Sequence, residues 1–131
     1  MKICYRDLQN AASEILRHVG ENEENAQIAS EIMVVNDLRG VSTHGTNLLR
    51  MIAKRCEAKM LSLPSRVTVV SDNMATLILD GGDGLGQVAG YKAMNAAIEK
   101  ARLYGLGMAL IRNTNNVGSL GYYVHKTAMQ D

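Results

Sequence analysis

The chain has 131 residues, 47% of them apolar and 21% charged, with a net charge of +1. That length fits one domain with a core of its own, and so small a charge removes the electrostatic case for a nucleic-acid or acidic-membrane partner. No apolar run reaches the ~20 residues of a membrane span, and Met1-Lys2-Ile3 does not open a signal peptide, so a cytoplasmic protein is expected.

Tyr5 to Val19 sets Leu8, Ala11, Ala12, Ile15, Leu16 and Val19 at three- and four-residue steps, the pattern of one buried helix face, and Gly20 supplies a stop. His18 near that end suits the helix dipole. Asn22 can cap a second helix, with Glu23 and Glu24 in its first turn and Ala26, Ala29, Ile32, Met33 and Leu38 as its apolar positions. It ends near Gly40.

The stretch Gly40-Val41-Ser42-Thr43-His44-Gly45 follows as a tight connection holding one imidazole. An unperturbed imidazole titrates at about 6.5 and can donate or accept a proton near neutrality. The plain alternative is a helix-to-helix turn that happens to contain a His. Thr46 can cap a third helix bearing Leu48, Leu49, Ile52, Ala53 and Cys56. Arg50 is close enough in sequence to reach an anion held at His44, while Lys54, Arg55 and Lys59 read as a solvated basic face. Pro64 marks the break between a helical half, 1–62, and a mixed half, 63–131, which together form one structural unit.

Val67–Val70 and Thr76–Leu79 are β-branched runs around the polar turn 71–75, a hairpin pattern. Asp80-Gly81-Gly82-Asp83-Gly84-Leu85-Gly86 leads into a long helix with a small-residue face: Val88, Ala89, Met94, Ala97, Ile98 and Ala101. Gly105 closes it. Gly107 to Ile111 reads as a buried strand, Arg112 to Gly118 as a polar loop, and Ser119 as the start of a last helix through Tyr122, Tyr123, His125 and Ala128. The predicted class is α+β: a helical bundle, then a hairpin, a long helix, a strand and a helix. Gly84 to Gly90 reads GxGxxxG, one residue off the dinucleotide fingerprint, and Arg112 stands where a 2′-phosphate selector could stand. A Rossmann-like cofactor-binding half is therefore one possible reading; a glycine-rich turn that lets a small-faced helix pack closely is the other. Cys4 and Cys56 lack CxxC spacing and are read as reduced, and the three His lack metal-ligand spacing, so no metal is expected.

Four stretches together resemble the malate/L-lactate dehydrogenase family that includes ureidoglycolate and sulfolactate dehydrogenases and is unrelated in fold to the Rossmann-type enzymes. They are Asp37 to Gly45, Asp83 to Gln87, Ala93 to Ile98, and Asn113 to Gly118 running into Gly121-Tyr122-Tyr123. The resemblance covers this whole sequence but only the N-terminal portion of a family chain, so the chain is expected to be truncated relative to the family. It implies hydride transfer between NAD or NADP and C2 of a small 2-hydroxy or 2-oxo acid, in a homodimer, with most cofactor contacts outside this sequence. It also implies that His44 is catalytic and that Asn116 takes the position of a second acid–base His. Asn cannot exchange a proton at neutral pH. Arg50 and the turn around Gly118 and Ser119, at a helix N-terminus, are expected to hold the acid. A non-catalytic oligomerisation or structural fragment remains the rival from a different class.

Overall fold

A computed structural model describes residues 2–130. Three helices come first: α1 (Tyr5–His18), α2 (Glu23–Leu38) and α3 (Leu48–Glu57), with a single 3-10 turn at Ser42–His44 between the last two. Two strands, β1 (Thr68–Asn73) and β2 (Thr76–Asp80), precede α4 (Gly86–Tyr104), β3 (Met108–Arg112) and α5 (Leu120–Ala128). The class is α+β, as the sequence predicts.

α2 is the central helix. Its Asn22 side chain accepts the Asn25 N–H at 2.9 Å, the expected cap. Ala26, Ala29, Ile32 and Met33 are each 0% exposed, and so are Ala12 and Leu16 of α1. The buried stripe of α1 is narrower than its spacing predicts. Ile15 remains 44% exposed and Ala11 faces solvent, because α1 packs mainly along α2 and only lightly on α3. Leu38 is 66% exposed, so the apolar face of α2 ends a turn before the helix does. Leu48 and Ile52 of α3 complete this core together with Leu85 and Val88 from the mixed half.

The hairpin forms, with a shorter turn than predicted. β1 continues through Asn73, the turn is Met74-Ala75, and β1 pairs antiparallel with β2 across a register shift at Val69/Ser71. β2 also pairs parallel with β3, so the sheet order is β1-β2-β3. A βαβ unit is thus present, where the sequence suggested only one arm of a hairpin. The Leu77 and Leu79 side chains pack on Ala93 of α4. β3 is not the buried strand expected: Met108 and Leu110 are 47% and 53% exposed. One face of β3 joins α4 and α5 in lining an open apolar groove of about 510 Å³.

These burials set a stability prediction. Leu16→Ala and Ile32→Ala should each cost about 2–5 kcal/mol in denaturant unfolding, since both sites are sealed on all sides. Leu38→Ala, on exposed surface, should stay within about 0.5 kcal/mol of the parent.

Candidate functional site

The His44 turn is built onto the end of α2. The His44 N–H donates to the Val41 carbonyl at 3.0 Å, and the His44 carbonyl accepts from Asn36 Nδ2 at 3.1 Å. Gly40 has φ +74°, a conformation open to glycine that turns the chain out of the helix. Thr46 does not cap α3; its N–H and hydroxyl both donate to Asp37 Oδ2, at 2.9 and 2.7 Å. A carboxylate within reach outcompetes the cap because charge-assisted bonds are the stronger ones. The half-buried His44 ring has one polar neighbour among the described residues, the Thr43 hydroxyl 3.0 Å from Nδ1, and that hydroxyl can donate or accept. Nε2 is left available.

Asn116 lies on the loop before α5 and is exposed. Its Oδ1 accepts the Gly118 N–H at 2.7 Å, so what it offers outward is its Nδ2 donor. Gly118, at φ +82°, faces α2 and the start of α4: a Cβ built there would be 3.8 Å from Asn36 Nδ2 and 4.0 Å from Gln87 Cγ. The Asn36 amide that donates to the His44 carbonyl thus also borders the space beside the Gly118 turn. Ser119 stands just before α5, and its side chain makes no capping bond.

Sequence reasoning missed a cation here. The Arg39 guanidinium lies over Gly121, where a Cβ would come within 2.9 Å of both terminal nitrogens. The Arg39 side chain makes no hydrogen bond or ion pair among the described residues, although Arg39 sits inside the Asp37–Gly45 motif. Its signal was present but unread, because nothing local says that residue 39 folds over residue 121. Arg50 is exposed on α3. The face of α3 turned toward Asn116 carries Leu48, Met51, Ile52 and Arg55 instead, around a cleft of about 20 Å³, room for one water. Arg55 is thus half-buried rather than part of a fully solvated face.

The glycines of the Gly84–Gly90 turn are explained by close packing. A Cβ at Gly84 would fall 2.7 Å from Ser65 Oγ, one at Gly86 2.3 Å from the Asn115 and Asn116 carbonyl oxygens, and one at Gly90 2.8 Å from the Tyr123 ring. The space that these glycines leave is filled by the chain itself. Arg112 is likewise occupied: its Nε donates to Asp80 Oδ2 at 2.9 Å, the Asn113 amide donates to the same oxygen, and the Gly82 N–H donates to Oδ1. The Gly82 N–H and the Arg112 guanidinium hold the Asp80 carboxyl below its ordinary pKa. Among the described residues no three His, Cys, Asp or Glu side chains converge as metal ligands. No described helix is long and apolar enough to cross a membrane.

A family model for malate/L-lactate dehydrogenase matches residues 3–131. The chain belongs to that family. The malate dehydrogenase of Pyrococcus abyssi (strain GE5 / Orsay) is 38% identical over 109 residues, which cover 83% of this chain and 30% of that one. The L-sulfolactate dehydrogenase of Methanocaldococcus jannaschii is 35% identical over 118 residues, covering 90% and 34%. Among solved structures, malate dehydrogenase from Pyrococcus horikoshii OT3 superposes with TM-score 0.91 at 32% identity, covering 96% of this chain and 36% of that one. The chain thus spans about a third of the length of the malate/L-lactate dehydrogenase relatives it matches.

Two predictions follow from the turn and its neighbours. Gly86→Ala should lower the melting temperature, because a methyl there collides with backbone, and should leave NAD(P)H binding by this chain at its parental level. A micromolar affinity lost on that change, read by fluorescence titration, would restore the Rossmann reading. The Asp80 contacts stabilise the fold above about pH 4, the carboxyl's unfolded value, and the contribution is lost as pH falls through the lower folded value. Asp80→Asn should therefore flatten the acid limb of stability against pH below about pH 4; an unchanged limb in thermal melts would exclude this role.

Proposed function

We propose that this chain forms the proton-transfer and acid-binding part of an NAD- or NADP-dependent dehydrogenase that interconverts small 2-hydroxy and 2-oxo acids of the malate or lactate kind. The observation that carries the reading is the convergence at Asn36. There the Asn36 amide donates to the His44 carbonyl, and the Gly118 turn, more than seventy positions further along the sequence, passes beside the same amide, which a Cβ at Gly118 would approach to 3.8 Å.

Oxidation at C2 needs a base for the hydroxyl proton, the reverse needs an acid, and the carboxylate needs donors. His44, with Nε2 available, takes the proton. The Asn116 Nδ2 donor orients the C2 oxygen. The N-terminal amides of α5 at Ser119, aided by the Arg39 guanidinium above Gly121, hold the carboxylate. Arg50 can take part only from the exposed side of α3. The nicotinamide cofactor finds no pyrophosphate cradle in the Gly84–Gly90 turn, so its binding belongs to the parts of a family-length chain beyond this third.

A second reading, a packing or subunit-contact fragment without catalysis of its own, has one observation in its favour. The apolar groove among α4, β3 and α5 leaves Leu120 68% and Val124 63% exposed, a surface that a second subunit of a homodimer would cover.

The test has two arms. The 131-residue chain alone should show no NAD(P)H absorbance change with malate, lactate or sulfolactate; turnover by it would overturn the division of labour proposed here. In a family-length enzyme carrying these residues, His44→Ala should cost about 10²–10⁴-fold in rate, the usual worth of general acid–base catalysis. Asn116→Ala should cost only about two- to tenfold, one neutral hydrogen bond, and keep the midpoint of the pH–rate profile. Equal losses in the two variants would remove the proton-transfer role from His44.

A further inference from the structure

We propose that Asn36 and Asp37, adjacent in the last turn of α2, are positioning residues that fix His44 by clamping the backbone on both sides of it. The proposal rests on the reading of His44 given above, but it concerns placement rather than chemistry.

The contacts divide cleanly. Asn36 takes the near side: its Nδ2 donates to the His44 carbonyl at 3.1 Å, and its own carbonyl accepts the Val41 N–H at 2.8 Å. Asp37 takes the far side: Oδ2 accepts the N–H and the hydroxyl of Thr46, at 2.9 and 2.7 Å. Its other oxygen lies against Gly45, where a Cβ would sit only 1.8 Å away. The residue after His44 is glycine because the carboxylate occupies the place of its side chain. Among the described residues the ring's one hydrogen-bond partner is the adjacent Thr43 hydroxyl, so its position is set through the main chain at 44 and 46.

Neither residue suits a helix for its own sake. Asn and Asp compete with the helical backbone for hydrogen bonds and are poor interior residues. Asn36 is 0% exposed, and its Oδ1 has no partner among the described residues, a cost that an apolar side chain would avoid. What a leucine there could not supply is the Nδ2 donor to His44. Packing alone does not explain the choice.

Solution NMR of the 131-residue chain tests this, reading the His44 Cε1–H and Cδ2–H resonances and the exchange rate of the Thr46 amide. Asp37→Ala should move the ring resonances toward those of histidine in an unstructured peptide and speed Thr46 exchange roughly 10–100-fold, the loss of a bond to a charged group. Asp37→Asn keeps an acceptor oxygen, so it should hold the ring resonances near their parental positions. Asn36→Ala should move the same ring resonances. Thr46→Val, which removes one donor to Asp37 and no core atom, should move them in the direction of Asp37→Ala by a smaller amount. If Asp37→Ala and Asn36→Ala lower the melting temperature yet leave the ring resonances in place, both are packing residues and the clamp is overturned. Should either alanine variant fail to fold, Thr46→Val decides, and an unmoved ring overturns the proposal. Turnover is not read in this test, so His44→Ala retaining activity would sink the proposed chemistry without touching the clamp.

Discussion

The Glu21 carboxylate is the contact on which the two halves of the chain depend. It is only 5% exposed and, among the described residues, forms no ion pair; hydrogen-bond donors surround it instead. Oε1 accepts from the Asn22 N–H and from Asn25 Nδ2, and both oxygens accept from the Ser65 N–H at 3.1 Å. The Ser65 hydroxyl donates to Oε2 at 2.5 Å and accepts the Leu85 N–H at 2.8 Å. Removing one partner from such a set leaves buried polar groups unmet, which costs more than the set as a whole contributes net. Burial, with this carboxylate and that of Glu57 adding to it, pushes the nearby Cys56 thiol pKa up.

From that junction the position of the site follows stepwise. Ser65 fixes the Gly84 turn, against which it packs too closely for a side chain. Asn115 Nδ2 then donates to the Asp83 and Gly84 carbonyls at 3.0 and 2.9 Å, which ties the Asn116 loop to that turn. Further along α2, Glu31 accepts the Tyr122 hydroxyl at 2.6 Å and so anchors α5; burial, with Glu31 beside it, pushes that phenol's pKa up. At its far end Asn36 and Asp37 hold the His44 turn. One helix of 16 residues thereby sets the relative placement of all the pieces to which the proposed chemistry is assigned.

The glycine-rich turn illustrates how a local motif misleads. GxGxxxG after a strand and before a helix is compatible with a phosphate loop, and the βαβ unit around it is present. The distinction lies in what stands opposite the glycines. Here Ser65, the 115–116 backbone and Tyr123 stand there, so the missing side chains serve the packing of this chain on itself. No pattern within the turn carries that information.

Periodicity and capping chemistry in the sequence determined the helices, the hairpin, the Asn22 cap and the α+β class, because those signals act within a few residues and are written in the side chains involved. The family resemblance lay in short motifs for the same reason. Tertiary structure alone decided which side of each element is covered. It left Ile15 and Leu38 in solvent, opened one face of β3, drew Thr46 away from its helix to Asp37, and laid Arg39 rather than Arg50 over the start of α5. Each of these outcomes is a competition between partners distant in sequence. A side chain's hydrogen-bonding or burial preference names the kind of partner it needs, and only the folded chain supplies which one is within reach.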